Sequence, residues 1–179
     1  MFGQPRGVLG WLGGIIMARA NRRHAEWAVK LLDVKSHERA LEIGFGPGVA
    51  IALLAEAAGS VAGIDPSEKM LRLANRRNAM AIALGRVDLR RGSAGRQPFA
   101  DESFDKALAI NSMQLWPDPL TGLHETRRVL RPGGRLALAF TVHSGQRRGV
   151  VPELVTAAGF STCRMIDTER AFCLLAVRQ

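Results

Sequence analysis

The chain has 179 residues, the size of one domain; 47% hydrophobic and 23% charged residues exclude a disordered polymer. Its formal charge of +9 is mostly arginine, with adjacent pairs at Arg22-Arg23, Arg76-Arg77, Arg90-Arg91, Arg127-Arg128 and Arg147-Arg148. Such a surface favours anionic partners, nucleic acid or an anionic membrane, although three Trp and no Tyr leave no aromatic-interleaved basic stripe for single strands.

Arg6, the apolar run Val8 to Ala18 and the triplet Ala18-Arg19-Ala20 imitate a secretory leader. The run contains Gly10, Gly13 and Gly14, is too short to span a bilayer, and flows into an amphipathic helix expected over Ile15 to Leu32. The chain therefore reads as cytoplasmic. Cys163 and Cys173 fit that compartment as small core residues on strands.

After the polar break Asp33 to Arg39, Ala40 to Ile43 is a short strand that runs into glycines. Val49 to Ala58 is a helix with Pro47 near its first turn. Ser60 to Ile64 is a second strand closed by Asp65, and Ser67 caps a helix through Met70, Leu71 and Ala74. Val87 to Arg90 and the apolar Phe104 to Ile110 are the third and fourth strands. Pro117-Asp118-Pro119 starts a helix that reaches Val129, Pro132-Gly133-Gly134 stops it, and Arg135 to Val142 is the fifth strand.

A short helix over Glu153 to Ala158 precedes two last strands, Phe160 to Ile166 and Ala171 to Val177. Too few residues separate them for a crossover, so they form an antiparallel hairpin. The expected fold is α/β: a doubly wound, Rossmann-like, mostly parallel seven-stranded sheet with helices on both faces and a C-terminal antiparallel hairpin. Residues 1–33 read as an N-terminal lid segment and helix, and 34–179 as a single ligand-binding domain.

The chemistry concentrates where the first strand turns into the first helix, at Glu42-Ile43-Gly44-Phe45-Gly46-Pro47-Gly48. Glycines there let backbone approach a ligand closely, and Asp65, at the end of the next strand, suits ribose hydroxyls. Val49 stands where a dinucleotide fingerprint needs Gly or Ala, and no Gly-Lys-Ser/Thr of a P-loop is present, so a nucleoside without a diphosphate fits better.

In these segments the chain resembles the class I S-adenosylmethionine-dependent methyltransferases, closest in pattern to the ubiquinone/menaquinone-biosynthesis type. The likeness runs from about Ala40 to Ala139 through LEIGFGPG, VAGIDPSEKML, RGSAGRQPFADESFDKALAINSM and HETRRVLRPGGRLALA, in that order. It implies S-adenosylmethionine as cofactor, with Gly44, Phe45 and Gly46 under its methionine part and Glu42 steadying the loop. Asp65 would meet the ribose, Pro66 and Met70 would flank the adenine, and Ser93 and Ala94 would lie at its edge, Ser93 where the family commonly has an aspartate. Asn111 falls where backbone meets the cofactor's amino group.

Gln114 and Trp116 lie on the side where acceptors sit, and His143, just after the fifth strand, is the candidate general base. His37 and His124 read as solvated. No His, Asp or Glu cluster has metal-ligand spacing. The expected activity is methyl transfer to a small or lipophilic acceptor by in-line attack on the sulfonium methyl. The alternatives are a non-catalytic cofactor-binding protein and a methyltransferase for RNA or lipid headgroups; a homodimer is compatible with either. Only about ten residues (Thr141 to Val151) separate the fifth strand from the next helix, so residues Phe2 to Trp27 are expected to act as the lid.

Overall fold

A computed structural model describes residues 22–179. Residues 1–21, which hold most of the expected lid and the first part of the Ile15–Leu32 helix, lie outside the described residues. Helix α1 runs through residues 22–32 and buries Ala25, Ala28 and Leu32. Strand β1 (Arg39–Ile43), helix α2 (Val49–Ala57) and strand β2 (Ser60–Asp65) follow.

Helix α3 (Glu68–Arg77) begins as its sequence dictates: the Ser67 hydroxyl accepts from the Met70 N–H at 3.3 Å, Glu68 occupies the first turn, and Arg76 and Arg77 the last. A short helix α4 (Ala79–Ala83), which the periodicity did not separate, leads to β3 (Val87–Arg91). Strand β4 (Phe104–Ile110) is joined by a single 3-10 turn (Met113–Leu115) to α5 (Pro119–Val129). Asp118 caps α5, accepting from the Leu120 and Thr121 N–H groups at 3.0 and 3.3 Å, and the Thr121 hydroxyl, which donates to its other oxygen, together with these bonds holds its carboxyl below its usual range.

Strand β5 (Leu130–Thr141) starts five residues before the expected Arg135, directly at the end of α5. Leu130 pairs with Phe104 and Arg135 with Lys106, so the Arg131–Gly134 turn is an excursion within the strand, with Gly133 at φ 77°. Helix α6 (Val150–Ala157) then leads to the hairpin of β6 (Phe160–Asp167) and β7 (Ala171–Arg178).

The sheet order is β3-β2-β1-β4-β5-β7-β6. All neighbours are parallel except β7, which is antiparallel to both β5 and β6. The expected doubly wound sheet and terminal hairpin are therefore present. Helices α1, α2 and α3 cover one face around Ile51, Leu54 and Leu108. Helices α5 and α6 cover the other around Leu123, Val129, Val151 and Val155.

One expectation is corrected here. Cys173 is buried in the core under α1, α2 and α3, where burial pushes its thiol up to about 12. Cys163 is exposed: it stands on β6, the edge strand, beside a register shift between Ser161 and Arg164 that lifts this stretch away from the core.

Candidate active site

In this strand order the chain leaves β1 toward β2 on one side and returns to β4 on the other, so a crevice opens between the carboxyl ends of β1 and β4. Three glycines line it, each with a different reason. Gly44 is at φ 78°, and a Cβ there would lie 2.5 Å from the Ser112 Cβ. Gly48 is at φ 76° as the residue before α2, and a Cβ there would meet the Asn78 side chain at 2.6 Å. Gly46, at φ 52°, has nothing within 4 Å of an added Cβ, so space lies open above the turn. We expect Gly44→Ala to cost about 2 kcal/mol or more, combining the left-handed backbone with the collision at Ser112. Urea unfolding measures this.

Asp65, buried at the end of β2, stitches this turn together. One of its carboxylate oxygens accepts from the Gly46 N–H at 2.9 Å and the other from the Ser67 N–H at 2.9 Å. The carboxylate thus couples the glycine turn to the start of α3 and keeps lone pairs for a ligand's hydroxyls. Glu42, only 3% exposed, has an oxygen, Oε2, that finds no partner. Burial first, and the charge of Asp65 second, raise its carboxyl well above the usual carboxylate range, against a backbone hydrogen bond from Ile51.

The far wall is equally fixed. Asn111 sits at φ 48°, and its Oδ1 accepts from the Thr141 N–H at 2.8 Å and the Thr141 hydroxyl at 3.3 Å, fastening the end of β4 to the end of β5. Its carbonyl accepts from Gln114 Nε2 at 2.8 Å, so that oxygen already holds one donor. Ala94 is buried and Ser93 exposed in the turn after β3, where Gln97 Nε2 donates to the Ala94 carbonyl at 3.2 Å and to the Thr126 hydroxyl at 3.1 Å. Pro66 is exposed and Met70 half-buried at the start of α3.

Two expected contacts sit differently from a simple lining. The Phe45 side chain is buried under α2, where it would touch a Cβ on Gly63 at 2.8 Å, so only its backbone faces the crevice. Trp116 lies across Gly122 of α5, which could carry no side chain beneath that ring. His143 is exposed in the turn after β5, beside exposed Val142. His37 and His124 are exposed as expected.

Sequence reasoning missed Ser112, whose hydroxyl donates to the Ile43 carbonyl at 2.6 Å across the crevice floor, and Asn78, whose Nδ2 donates to the Gly48 carbonyl at 3.2 Å and the Ala74 carbonyl at 2.9 Å. Either was findable only as a polar residue flanking an element that ends beside the glycine turn. Among the described residues no His, Cys, Asp or Glu group forms a metal-binding cluster. A separate cavity of about 400 Å³ lies at the opposite, amino-terminal edge, lined by Arg127, Arg128 and Arg178. Those guanidinium groups are engaged with Gly159, with Glu125 and Asp101, and with Glu102, so it does not rival the crevice.

Taken together, the topology and the crevice define a nucleoside-binding α/β enzyme. A family model described as a methyltransferase domain matches residues 41–138, more than half of the chain. The chain belongs to this family of class I, S-adenosylmethionine-dependent methyltransferases.

It is 33% identical over 129 residues to the uncharacterized methyltransferase YdaC of Bacillus subtilis, covering 71% of this chain and 69% of that one. It is 37% identical over 119 residues to a demethylmenaquinone methyltransferase of Geobacillus kaustophilus, covering 63% of this chain and 50% of that one, so it spans half of that relative's length. A crystal structure of an S-adenosylmethionine-dependent methyltransferase from Aquifex aeolicus superposes with a TM-score of 0.78 at 20% identity, over 87% of this chain and 89% of the other. Its sheet is the same fold.

The residues present fit the donor. The buried, partnerless oxygen of Glu42 and the open space above Gly46 are features of a cradle shaped for a polar group that the protein itself does not supply.

Proposed function

We propose that this protein methylates a small, lipophilic acceptor at the carboxyl edge of its sheet. The observation that carries the acceptor class is an apolar rim there: Leu115 is 77% and Val142 57% exposed, with half-buried Trp116 alongside. Solvated side chains of this kind favour an acceptor with apolar bulk.

The donor supplies an electrophilic methyl group on a sulfonium. Gly44 and Gly46 would present backbone beneath its methionine part, Asp65 would accept from its ribose, and Glu42 would offer a carboxyl to its polar end. Pro66 and Met70 would flank the adenine, Ser93 and Ala94 would meet its edge, and the backbone at Asn111 would bound the amino group. The protein's further task is alignment, which supplies much of the rate when the acceptor is already nucleophilic. Gln114 and Trp116 bound the acceptor side. His143 serves as base only for an acceptor whose hydroxyl or carbon must lose a proton.

The N-terminal segment completes the site. The Leu32 carbonyl of α1 accepts from Arg135 at 3.4 Å, near the point where β5 joins the sheet proper. Residues 2–21, which precede α1 in the chain, are the proposed cover. Trp27, expected to belong to the lid, instead packs with α1 against the core.

The test is turnover with a panel of phenols, quinols and aliphatic amines, followed by mass spectrometry. Deleting residues 2–21 is expected to reduce turnover at least a hundredfold while the thermal transition stays within a few degrees. A fully active deletion sinks the cover, and a panel accepted without regard to apolar bulk sinks the acceptor class.

A further inference from the structure

Helix α4 is built from Ala-Met-Ala-Ile-Ala and has no buried residue. Ala81 and Ile82 rest partly on the core, but Met80 is 78% exposed and the following Leu84 66%. A wholly apolar helix standing in water is unfavourable unless something covers it. The same outer surface continues along α3 through exposed Lys69, Arg72, Leu73 and Arg76. Of these cations only Arg72 has an acidic partner among the described residues, Glu68 at 3.4 Å on an exposed pair that water screens. The result is one stripe, cationic along α3 and apolar at its α4 end, reaching from the crevice edge at Ser67 to the opposite edge at Gly85.

We infer that this α3–α4 stripe is a docking surface for an anionic lipid bilayer, with Met80 and Leu84 inserted among the headgroups and Lys69, Arg72 and Arg76 against lipid phosphates. Charge complementarity selects this occupant. A second copy of the chain meeting the stripe with its own would set arginine against arginine, which is repulsive. A nucleic acid would satisfy the cations, yet it leaves Met80 and Leu84 idle, and the stripe has no aromatic ring on which a base could stack.

Apolar side chains flanked by basic ones are what an interfacial helix requires. None of the described helices is long and apolar enough to cross a membrane, so the contact is peripheral. Because α3 begins just after Asp65 and carries Met70 in its first turn, lying along the bilayer places the mouth of the crevice at headgroup level. The inference rests on exposure and charge and not on the acceptor proposed above.

Flotation of the full chain with vesicles tests it, without donor or acceptor. Binding is expected to vesicles of equal phosphatidylglycerol and phosphatidylcholine, to be absent from pure phosphatidylcholine, and to weaken strongly as salt rises from about 0.1 M to about 1 M. Met80→Gln with Leu84→Gln is expected to lower the partition coefficient at least tenfold. Lys69→Gln with Arg76→Gln should lower it about twenty-five-fold, at fivefold per basic side chain. Both double variants change exposed residues and should keep the parent's melting temperature and donor affinity. No binding by the parent, or binding that the Met80/Leu84 variant retains in full, overturns the proposal. So does an equal loss of vesicle binding on adding RNA that the Met80/Leu84 variant binds as tightly as the parent. A failed acceptor panel with intact flotation would count against the acceptor class alone.

Discussion

Asp65→Ala is expected to bind S-adenosylmethionine at least tenfold more weakly than the parent while still unfolding in one cooperative thermal transition. The carboxylate is held at 2.9 Å by the Gly46 N–H and at 2.9 Å by the Ser67 N–H, one on each of its oxygens. Charged hydrogen bonds of this kind contribute roughly 1.5–3 kcal/mol each, so their loss frees both the glycine turn and the start of α3. Part of the lost affinity therefore comes from a looser cradle and part from the missing ribose contact.

The two parts separate with a 2′-deoxy analogue of the donor. If Asp65 receives the ribose hydroxyls, the parent discriminates against the analogue and the Asp65→Ala protein does not, a coupling that a loosened turn alone would not produce. The unliganded variant should also melt several degrees lower, at about 2–4 °C per kcal/mol for a chain of this size. Unchanged donor affinity in a folded Asp65→Ala sample would remove the ribose assignment altogether.

Asp65 was legible because local rules act on it directly: an acid at the end of a short, mostly apolar strand, about twenty residues after a glycine turn. The same holds for the α3 and α5 starts, where Ser67 and Asp118 are caps of ordinary type. The hairpin was legible from length alone, since the four residues between Ile166 and Ala171 cannot return a parallel strand.

What the sequence hid is set by contacts between distant segments. Leu130 reads as the tail of a helix until Phe104 offers it a strand to pair with, which extends β5 across the Arg131–Gly134 excursion. Ser112 reads as a loop polar residue until its hydroxyl reaches the Ile43 carbonyl, 69 positions earlier. Cys163 reads as a core residue because it stands in a largely apolar strand, and the sequence does not mark the register shift beside it. Helix α4 was invisible for a different reason: an apolar pentapeptide has no periodicity to distinguish a buried face from an exposed one.

Glu42 presents the opposite balance from Asp65, and Glu42→Gln should make the unliganded protein more stable at neutral and alkaline pH. The side chain is almost fully buried, one oxygen has no partner, and the negative charge of Asp65 lies near enough to raise its carboxyl further. A folded-state value raised above the unfolded one means that, between the two, the folded chain holds a proton that the unfolded chain has released. Stability then falls as pH rises from about 4.3, the ordinary glutamate value, toward the raised one. Glutamine carries no such proton, so its stability lacks this slope.

The melting temperatures of the two proteins should lie close near about pH 4 and diverge upward in pH, with the variant ahead by a few degrees at about pH 8 for a gain on the order of 1 kcal/mol. Donor binding should respond in the other direction. A cationic ligand beside Glu42 favours its carboxylate form, so the parent's affinity for the donor rises with pH. Glu42→Gln loses roughly tenfold at about pH 8 and little at about pH 5. A residue that costs stability alone and gains its advantage only with the cation bound belongs to a binding site, not to the core in which it is buried. A Glu42→Gln protein that melts below the parent at every pH, or whose donor affinity is unaltered at alkaline pH, would show that this carboxyl is a structural group of the first turn.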